Sequence, residues 1–323
     1  METKNFSPII LFAYDRPWHT EQVLRALKQN ELASQSELII YVDGPKANAT
    51  QDQLEKIDEV KRIVGCEKWC KKVDIHMAEK NIGCRNSIIK GISDVLQLHE
   101  AVIVLEDDIV TAKCFLRYMN TALDYYKNRK SVFSISGYNF PEIKLPIPLD
   151  YEYDVYVSPR LLNWGWGIWR DRWQQVDWDK KFIPEFLTKK NQVEAFNRGG
   201  IDLSKMLLEE FEGKTDAWDI QLVYSHFLNH ALSIVPCHSY TENIGLDGTG
   251  VHCTTSDSFK NDLKLSVYHP RLLDVLYEDK RILNLLYSLY YPKKRILLKK
   301  ILNRLSRSFG GKNLFILKKK VYV

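Results

Sequence analysis

Three consecutive carboxylates, Glu106-Asp107-Asp108, directly follow the apolar run 101–105. Such crowding of negative charge needs a cation to balance it. Hard divalent ions such as Mg²⁺ and Mn²⁺ bind carboxylate and phosphate oxygens together, so the triplet is suited to holding a metal ion against a diphosphate. The alternative interpretation is a solvated helix N-terminus, where acidic side chains are favoured by the helix dipole.

Tryptophan is the second residue type that could contribute chemistry, because five of the eight tryptophans lie between residues 164 and 178. Aromatic faces either stack on the C–H surfaces of a sugar or fill a core. In Trp164-Gly165-Trp166 the glycine lets the backbone approach a ligand closely, so ligand contact and core packing are both open for these two tryptophans. Packing is expected for the remaining three: Trp169, Trp173 and Trp178.

Short β-branched runs alternate with amphipathic stretches through the first half of the chain. Strands are predicted at 9–14, 38–42, 73–77, 102–105 and 132–136, and helices at 17–28, 51–64, 86–98 and 113–127. This order predicts an α/β fold, with a Rossmann-like, mostly parallel sheet and helices on both faces. In such sheets, ligands bind outside the carboxyl ends of the strands.

The predicted strand ends are polar, unlike the strands themselves. Asp15-Arg16 follows the first strand, Asp43 follows the second, and the segment 81–86 follows the third. No G-x-G-x-x-G follows the first strand and no G-x-x-x-x-G-K-[ST] occurs anywhere. The chain therefore lacks the fingerprints of dinucleotide redox enzymes and of P-loop hydrolases.

The regular alternation stops after about Gly137, where three prolines within 141–148 interrupt any regular element. A charged stretch at 185–211 predicts further helix. The run 239–253 contains three glycines and is expected to form a loop that closes over a bound ligand.

Taken in chain order, these motifs resemble the N-acetylglucosaminyltransferase I family of GT-A fold glycosyltransferases. The matching segments are Ala13-Tyr14-Asp15-Arg16, Asp43, Glu106-Asp107-Asp108, Ser136-Gly137-Tyr138-Asn139, Leu162-Asn163-Trp164-Gly165-Trp166 and Trp218-Asp219. The resemblance covers about residues 8–253 and is strongest at the strand ends. It implies a metal-dependent, inverting glycosyltransferase that moves a single sugar from a nucleotide donor, expected to be UDP-linked, to a glycan or glycolipid acceptor.

The resemblance also implies roles for the residues on the donor side. Arg16 and Asp43 would contact the nucleotide, with Asp43 accepting a hydrogen bond from the uracil. Glu106 would touch the donor sugar and Asp107 would lie near the ribose. Asp108 would be the direct metal ligand, with Mn²⁺ or Mg²⁺ joining it to both phosphates. In a less specific match, Asn81, Gly83 and Arg85 resemble the N-x-G-x-x-R-N stretch of other inverting GT-A enzymes, which places Arg85 near the donor.

On the acceptor side, Trp218-Asp219 resembles the pair that carries the catalytic base of this family. Asp219 would then remove the proton of the acceptor hydroxyl, and Asp216 is the competing candidate. Together with Trp164 and Trp166, Trp218 is expected to contact substrate. Two alternative functions stay open at this point, a nucleotidyltransferase and a non-catalytic carbohydrate-binding protein on the same fold.

Three regions follow from these assignments. Residues 1–137 form the nucleotide-sugar-binding half, residues 138–279 form the half that binds acceptor and carries the base, and residues 280–323 form a basic amphipathic tail. Between 280 and 323 there are 13 Lys or Arg and no Asp or Glu, against 46 and 41 in the whole chain, so the rest of the chain is acidic. An acidic body argues against nucleic acid as a partner and leaves the tail to meet something anionic.

The tail could meet a membrane surface, because at helical spacing one apolar face is flanked by basic residues. That face consists of Leu297, Leu298, Ile301, Leu302 and Leu305. A basic amphipathic helix lies in the interface of an anionic leaflet. The alternative is that the segment docks on protein through residues such as Tyr287 and Leu289.

The remaining composition is that of a soluble protein, with 323 residues, 45% hydrophobic and 27% charged. No apolar run approaches the roughly 20 residues that span a bilayer, and the N-terminus lacks the pattern of a secretory signal. Six cysteines without a C-x-x-C pair indicate neither a disulfide framework nor a zinc site. We therefore expect a cytoplasmic protein that attaches peripherally to the inner face of the plasma membrane.

Overall fold

The computed structural model describes residues 6–248, 257–290 and 302–308. Within these residues the strands are β1 (Ile9–Ala13), β2 (Glu37–Val42), β3 (Lys72–Met77), β4 (Ala101–Glu106), β5 (Ile109–Thr111), β6 (Val132–Ser136), β7 (Val155–Ser158), β8 (Trp166–Trp169), β9 (Leu232–Pro236) and β10 (Thr241–Asn243). The α-helices are α1 (Pro17–Lys28), α2 (Gln51–Gly65), α3 (Cys84–Leu98), α4 (Phe115–Tyr126), α5 (Arg170–Trp173), α6 (Ile183–Thr188), α7 (Lys190–Phe196), α8 (Leu203–Phe211), α9 (Trp218–Leu228) and α10 (Lys280–Tyr290).

Eight strands form one sheet in the order β3-β2-β1-β4-β8-β6-β9-β7, and β10 pairs separately with β5. The strands β1 to β4 are mutually parallel, whereas β8 runs antiparallel between β4 and β6, and β7 runs antiparallel to β9. Six of the eight strands therefore share one direction, as the predicted mostly parallel sheet requires. Both halves of the chain contribute strands to this sheet.

Helices cover both faces of the sheet because the side chains of a strand alternate between its faces. In β1, Ile9 and Leu11 pack into the core that contains Leu24 of α1, whereas Ile10 and Phe12 pack into a second core with residues of α3 and α9. The prediction of an α/β fold with helices on both faces is confirmed.

The predicted helices of the first half match the structure to within two residues at each end. Pro17 at the first helical position begins α1. Thr50 caps α2 by a reciprocal pair of hydrogen bonds with Gln53, which satisfies two free amides of the first turn. The three-residue strand β5 was not predicted, because so short a run carries no periodic signal. Since β5 follows the acidic triplet, the alternative that Glu106 to Asp108 begin a helix is wrong.

The charged stretch at 185–211 was expected to be helical, and the structure divides it into α6, α7 and α8. The break before α8 contains Gly200, whose φ of 148° favours glycine. A Cβ atom there would lie 2.7 Å from both Arg160 Nη1 and Asp202 Oδ1. The run 239–253 contains β10 rather than a loop alone, and its residues 249–253 lie outside the described part of the chain.

The first eleven residues of the predicted tail form α10, which packs on the folded body. Ile282, Leu286 and Tyr290 recur every four residues and are buried in the first core. Most of the predicted amphipathic face lies outside the described residues, although 302–308 is helical and Leu305 there is 51% exposed. In the described ranges, each helix is too short or too polar to cross a bilayer.

Candidate active site

Arg16 joins the ends of two neighbouring parallel strands. Because Pro17 begins α1 directly after β1, Arg16 occupies the N-cap position at the carboxyl edge of the sheet. Its Nη1 donates to Asp108 Oδ2 at 2.9 Å, and its Nη2 donates to Asp107 Oδ1. Asp107 Oδ2 also accepts a hydrogen bond from the backbone N–H of Tyr14 at 3.4 Å. The structure thus brings together the strand-end residues that the sequence placed at this edge.

Burial and like charge together disfavour ionisation of Glu106 and Asp107. Burial raises the pKa of Glu106 to about 8, assisted by the negative charges of Asp108 and Asp107 and opposed by Arg16. Burial also raises the pKa of Asp107 to about 6, although Arg16 opposes the shift through its charge and its hydrogen bond. The Arg16 guanidinium therefore offsets part of the negative charge of the cluster, and a further cation would offset more of it.

The donor set at this edge consists of carboxylate oxygens, which suit a hard divalent cation. Among residues 6–248, 257–290 and 302–308, no three His, Cys, Asp or Glu side chains are grouped to hold a metal ion by themselves. Mg²⁺ is usually held by one or two carboxylates plus the phosphates of its substrate. Asp108 is a carboxylate of the type that such sites use.

A segment that follows β10 covers the acidic edge. The backbone N–H of Ile244 donates to Asp108 O at 2.9 Å. A Cβ atom at Gly245 would come within 2.3 Å of Asp108 Oδ2 and 2.9 Å of Arg16 Nη1. A side chain at this position would displace both charged groups, so Gly245 leaves them room where they lie.

The same segment is attached to α1 by His19, whose Nε2 lies 3.0 Å from Asp247 Oδ2. His19 is buried beneath this contact, one turn along α1 from Arg16. The loop predicted to close over a ligand is therefore held against the site as far as Gly248. The rest of the predicted loop, residues 249–253, lies outside the described part of the chain.

Asp43 has a structural role that the sequence did not predict. Its Oδ1 accepts from the N–H groups of Gly44 and Ile82 at 2.8 and 3.0 Å. Its Oδ2 accepts from Asn81 Nδ2 at 2.8 Å and from the N–H of Gly83 at 3.1 Å. A carboxylate offers about four acceptor positions, and all are taken. Asp43 thus orders the segment between β3 and α3, and the predicted hydrogen bond from uracil to Asp43 stays a prediction.

Asp219 lies in the first turn of α9, one residue after the buried Trp218. Burial raises its pKa, and the positive charge of Arg160 and the N–H groups of Asp219 and Ile220 oppose the shift. Asp216 precedes the helix and is exposed. Asp219 is thus half-buried with a raised pKa, whereas Asp216 is exposed, and the assignment of Asp219 as the base stays a prediction.

Charge interactions place both groups of acids around one cleft. The negative charge of Asp219 contributes to the raised pKa of Glu106. Cys84, the first residue of α3, is exposed as a residue, and burial of its thiol raises the pKa of that group, assisted by the charges of Glu106 and Asp216. The acidic edge and the first turns of α9 and α3 therefore lie near one another, around a region that we name the cleft.

Arg85 is directed to α8 in this structure. Its Nη1 donates to Glu210 Oε1 at 2.9 Å, and its guanidinium lies 5.8 Å from the ring centroid of Trp178. Glu210 is 1% exposed. Arg85 thus borders the cleft from α3 while bound to a buried carboxylate that the sequence did not single out.

The tryptophans expected to contact substrate lie mostly in the core. Trp166 is 1% exposed and stacks on Trp218, with ring centroids 5.5 Å apart. Trp164 is buried and packs against Tyr138, with the two ring centroids 4.4 Å apart. Gly165, with a φ of 74°, makes room for Thr241 of β10, since a Cβ would lie 2.7 Å from Thr241 Cγ2. These contacts favour packing over ligand contact for Trp164 and Trp166.

Three further residues near the site were not predicted from the sequence: Arg160, Glu210 and Gly245. Arg160 and Glu210 act on Asp219 from elsewhere in the chain, and only the fold brings them close. Gly245 lay within a recognisable glycine-bearing run, but its proximity to Asp108 follows from the pairing of β10 with β5.

Comparison with known proteins gives matches at the level of structure. No protein-family model matches the chain, and no curated protein matches it. Among solved structures, S. aureus TarS residues 1–349 aligns with 73% of this chain at 14% identity and a TM-score of 0.40, and the match spans 59% of that protein.

Two further solved structures with similar scores are enzymes of nucleotide-sugar chemistry. The galactosyltransferase LgtC, in complex with donor and acceptor sugar analogues, aligns with 68% of this chain and 70% of its own at 10% identity and a TM-score of 0.32. A UDP-glucose pyrophosphorylase bound to UDP-glucose aligns with 72% of this chain and 90% of its own, at 11% identity and a TM-score of 0.36.

Proposed function

We propose that this protein is a glycosyltransferase that moves one sugar from a nucleotide donor to a glycan or glycolipid acceptor. The observation that supports it most is the proximity of Asp219 of α9 to the carboxylates at and after the end of β4, two of which Arg16 bridges. Carboxylates at a strand end suit a diphosphate and its cation. A separate carboxylate of raised pKa suits an acceptor hydroxyl.

In the inverting mechanism we propose, Asp219 removes the proton from the acceptor hydroxyl as its oxygen attacks the anomeric carbon. The bond to the diphosphate breaks on the opposite face of the sugar. A bound Mn²⁺ or Mg²⁺ would neutralise the charge that develops on the departing diphosphate. Asp108 would hold that ion, and Arg16 would orient Asp107 and Asp108. We propose UDP as the nucleotide, following the motif order shared with the N-acetylglucosaminyltransferase I family.

A nucleotidyltransferase is the alternative activity, because it also uses carboxylates at strand ends. It would need a glycine-rich, basic loop after β1 to hold a triphosphate. In this chain Tyr14-Asp15-Arg16 leads directly into α1, which leaves little backbone to wrap around phosphates. Formation of free UDP from a UDP-sugar would favour the transferase, and formation of diphosphate from UTP and a sugar 1-phosphate would favour the alternative.

Cys84 provides a test of donor binding that does not require the acceptor to be known. Alkylation proceeds through the thiolate, so the raised pKa of Cys84 predicts slow labelling by iodoacetamide although the residue is exposed. UDP with Mn²⁺ should slow it further by covering the cleft. Peptide mass spectrometry would measure the rate at Cys84 and, as control, at the exposed Cys66, which lies at the end of α2. Equal rates at Cys84 with and without nucleotide would contradict the proposal.

We further propose that the basic C-terminal segment binds the anionic cytoplasmic face of a membrane, where a glycolipid acceptor would lie. Each basic residue near such a surface contributes about 1 kcal/mol. The full chain should float with anionic but not neutral liposomes, and a chain ending at Tyr290 should not float with either. That end point keeps α10, whose Leu286 is buried in the core. Equal flotation of both chains would contradict membrane binding by the tail.

A further inference from the structure

Glu210 of α8 is a buried carboxylate that binds three separate segments. Its Oε1 accepts from Arg85 Nη1 at 2.9 Å and lies 3.0 Å from Lys180 Nζ. Its Oε2 accepts from the backbone N–H of Ala217 at 2.9 Å and from Thr215 Oγ1 at 3.5 Å. Lys180 Nζ also donates to the backbone carbonyl of Glu210 at 2.7 Å. Both oxygens of a side chain that is 1% exposed therefore face donors.

The three segments belong to different parts of the chain. Arg85 lies in the first turn of α3, directly after the segment that Asp43 orders. Ala217 is the N-cap of α9, two residues before Asp219. Lys180 has a φ of 61°, a conformation uncommon for a residue other than glycine. Glu210 thus connects the N-termini of α3 and α9, which carry the donor side and the base side of the cleft.

A buried charge of this kind is costly unless it is paired, and removal of one partner leaves the others uncompensated. Two cations on one oxygen and an amide on the other satisfy Glu210 in a way that a neutral side chain cannot. A glutamine has a single acceptor end, so it could accept from Arg85 and Lys180 or from Ala217, but not from both sides.

We propose that Glu210 is a positioning residue for Asp219: it fixes the first turn of α9 relative to α3, and its charge acts on the base. This inference rests on the proposed function, in which Asp219 removes the proton of the acceptor hydroxyl. Glu210 itself contacts neither the donor nor the acceptor in this proposal.

The charges around Asp219 predict how the base responds. Arg160 lowers the pKa of Asp219 and Glu210 raises it. Glu106 and Tyr290 also interact with Asp219 through charge, and Tyr290 is neutral near pH 7 because burial raises its pKa to about 12. Neutralising Glu210 removes a negative charge, so the pKa of Asp219 should fall and the acid limb of the pH–rate profile should move to lower pH.

The test compares Glu210→Gln with Glu209→Gln, in the full-length protein. Glu209 is the neighbouring acid of α8 and pairs with Lys205 on the helix surface, which makes it a matched control. Turnover of Glu210→Gln should fall roughly tenfold to a hundredfold through misplacement of the base. Its acid limb should shift down, and hydrogen exchange of residues 215–219 should accelerate. The control should change none of these. A folded Glu210→Gln protein with normal turnover, pH profile and exchange would overturn the inference.

Lys180→Asn serves if Glu210→Gln fails to fold, because asparagine tolerates the left-handed conformation. Removing this cation leaves the charge of Glu210 less compensated, so the acid limb should move up, opposite to Glu210→Gln. If the acid limb of the pH–rate profile did not move in Lys180→Asn, the inference would then be overturned. Asp219→Asn, assayed in parallel, separates the two proposals. If that variant stays active, the assignment of the base is wrong; if it is inactive while Glu210→Gln behaves normally, only the positioning role is wrong.

Discussion

Asp219→Asn is expected to lower the rate of UDP release from UDP-sugar donors by roughly 10² to 10⁴, the range that a general base supplies. UDP affinity should stay nearly the same, because Asp219 lies on α9 and the carboxylates assigned to the donor lie at the end of β4. Initial rates with a panel of UDP-sugars and titration calorimetry with UDP would measure the two quantities separately.

The pH profile adds a check on the same residue. A base must be ionised, so activity rises with pH through the pKa of that base. Burial raises the pKa of Asp219, so the acid limb should lie above the ordinary value for aspartate of about 3.9. It should be absent from the residual activity of Asp219→Asn.

Asp216→Asn is the matched control, three residues away and exposed to solvent. It should retain most of its turnover, since Asp216 lies before the first turn of α9. If Asp216→Asn shows the large loss and Asp219→Asn stays active, the two residues have been assigned the wrong way round.

The sequence was sufficient where structure is determined locally. Helix α1 was predicted with its observed ends because Pro17 and an amphipathic repeat lie within one segment. Strands β1 to β4 were predicted from apolar runs, and their parallel order places Arg16 and the acidic triplet at one edge without knowledge of the contacts. The meeting of Arg16 with Asp107 and Asp108 follows from that order.

The sequence was insufficient where pairing is long-range. The strands β8 and β10 are three or four residues long, and they are stabilised by pairing with β4, β6 and β5 rather than by a pattern of their own. Gly245 reaches Asp108 only through the pairing of β10. Likewise, Arg85 and Glu210 are 125 positions apart in the chain. A motif indicates which residue types are present. It does not show which acceptor positions of a side chain are already taken by donors of the protein, as they are at Asp43.

Asp108→Ala is expected to abolish the effect of metal on donor binding. In the native protein Mn²⁺ should strengthen UDP binding, since Asp108 is the carboxylate assigned to the ion and the diphosphate supplies its other ligands. Loss of residues that merely support a ligand costs 10- to 100-fold in metal affinity, so loss of the ligand itself should cost more than about 100-fold. Calorimetry of UDP with Mn²⁺ and with a chelator would measure the difference. Unchanged affinity in the variant would exclude Asp108 as the metal ligand.

A second substitution tests whether the position of the Asp108 carboxylate matters, without removing the carboxylate. Gly245→Ala keeps the carboxylate but places a methyl group 2.3 Å from where Asp108 Oδ2 lies, and 2.9 Å from Arg16 Nη1, so both groups must move. We expect the metal-dependent affinity of Gly245→Ala for UDP to lie between that of the native protein and that of Asp108→Ala. Gly65→Ala is the control, because its added methyl group meets nothing within 4 Å. If Gly245→Ala kept the native metal-dependent affinity for UDP, metal binding would not depend on Asp108 Oδ2, the oxygen that Arg16 binds. The metal would then have to be held by Glu106 or by Asp108 Oδ1.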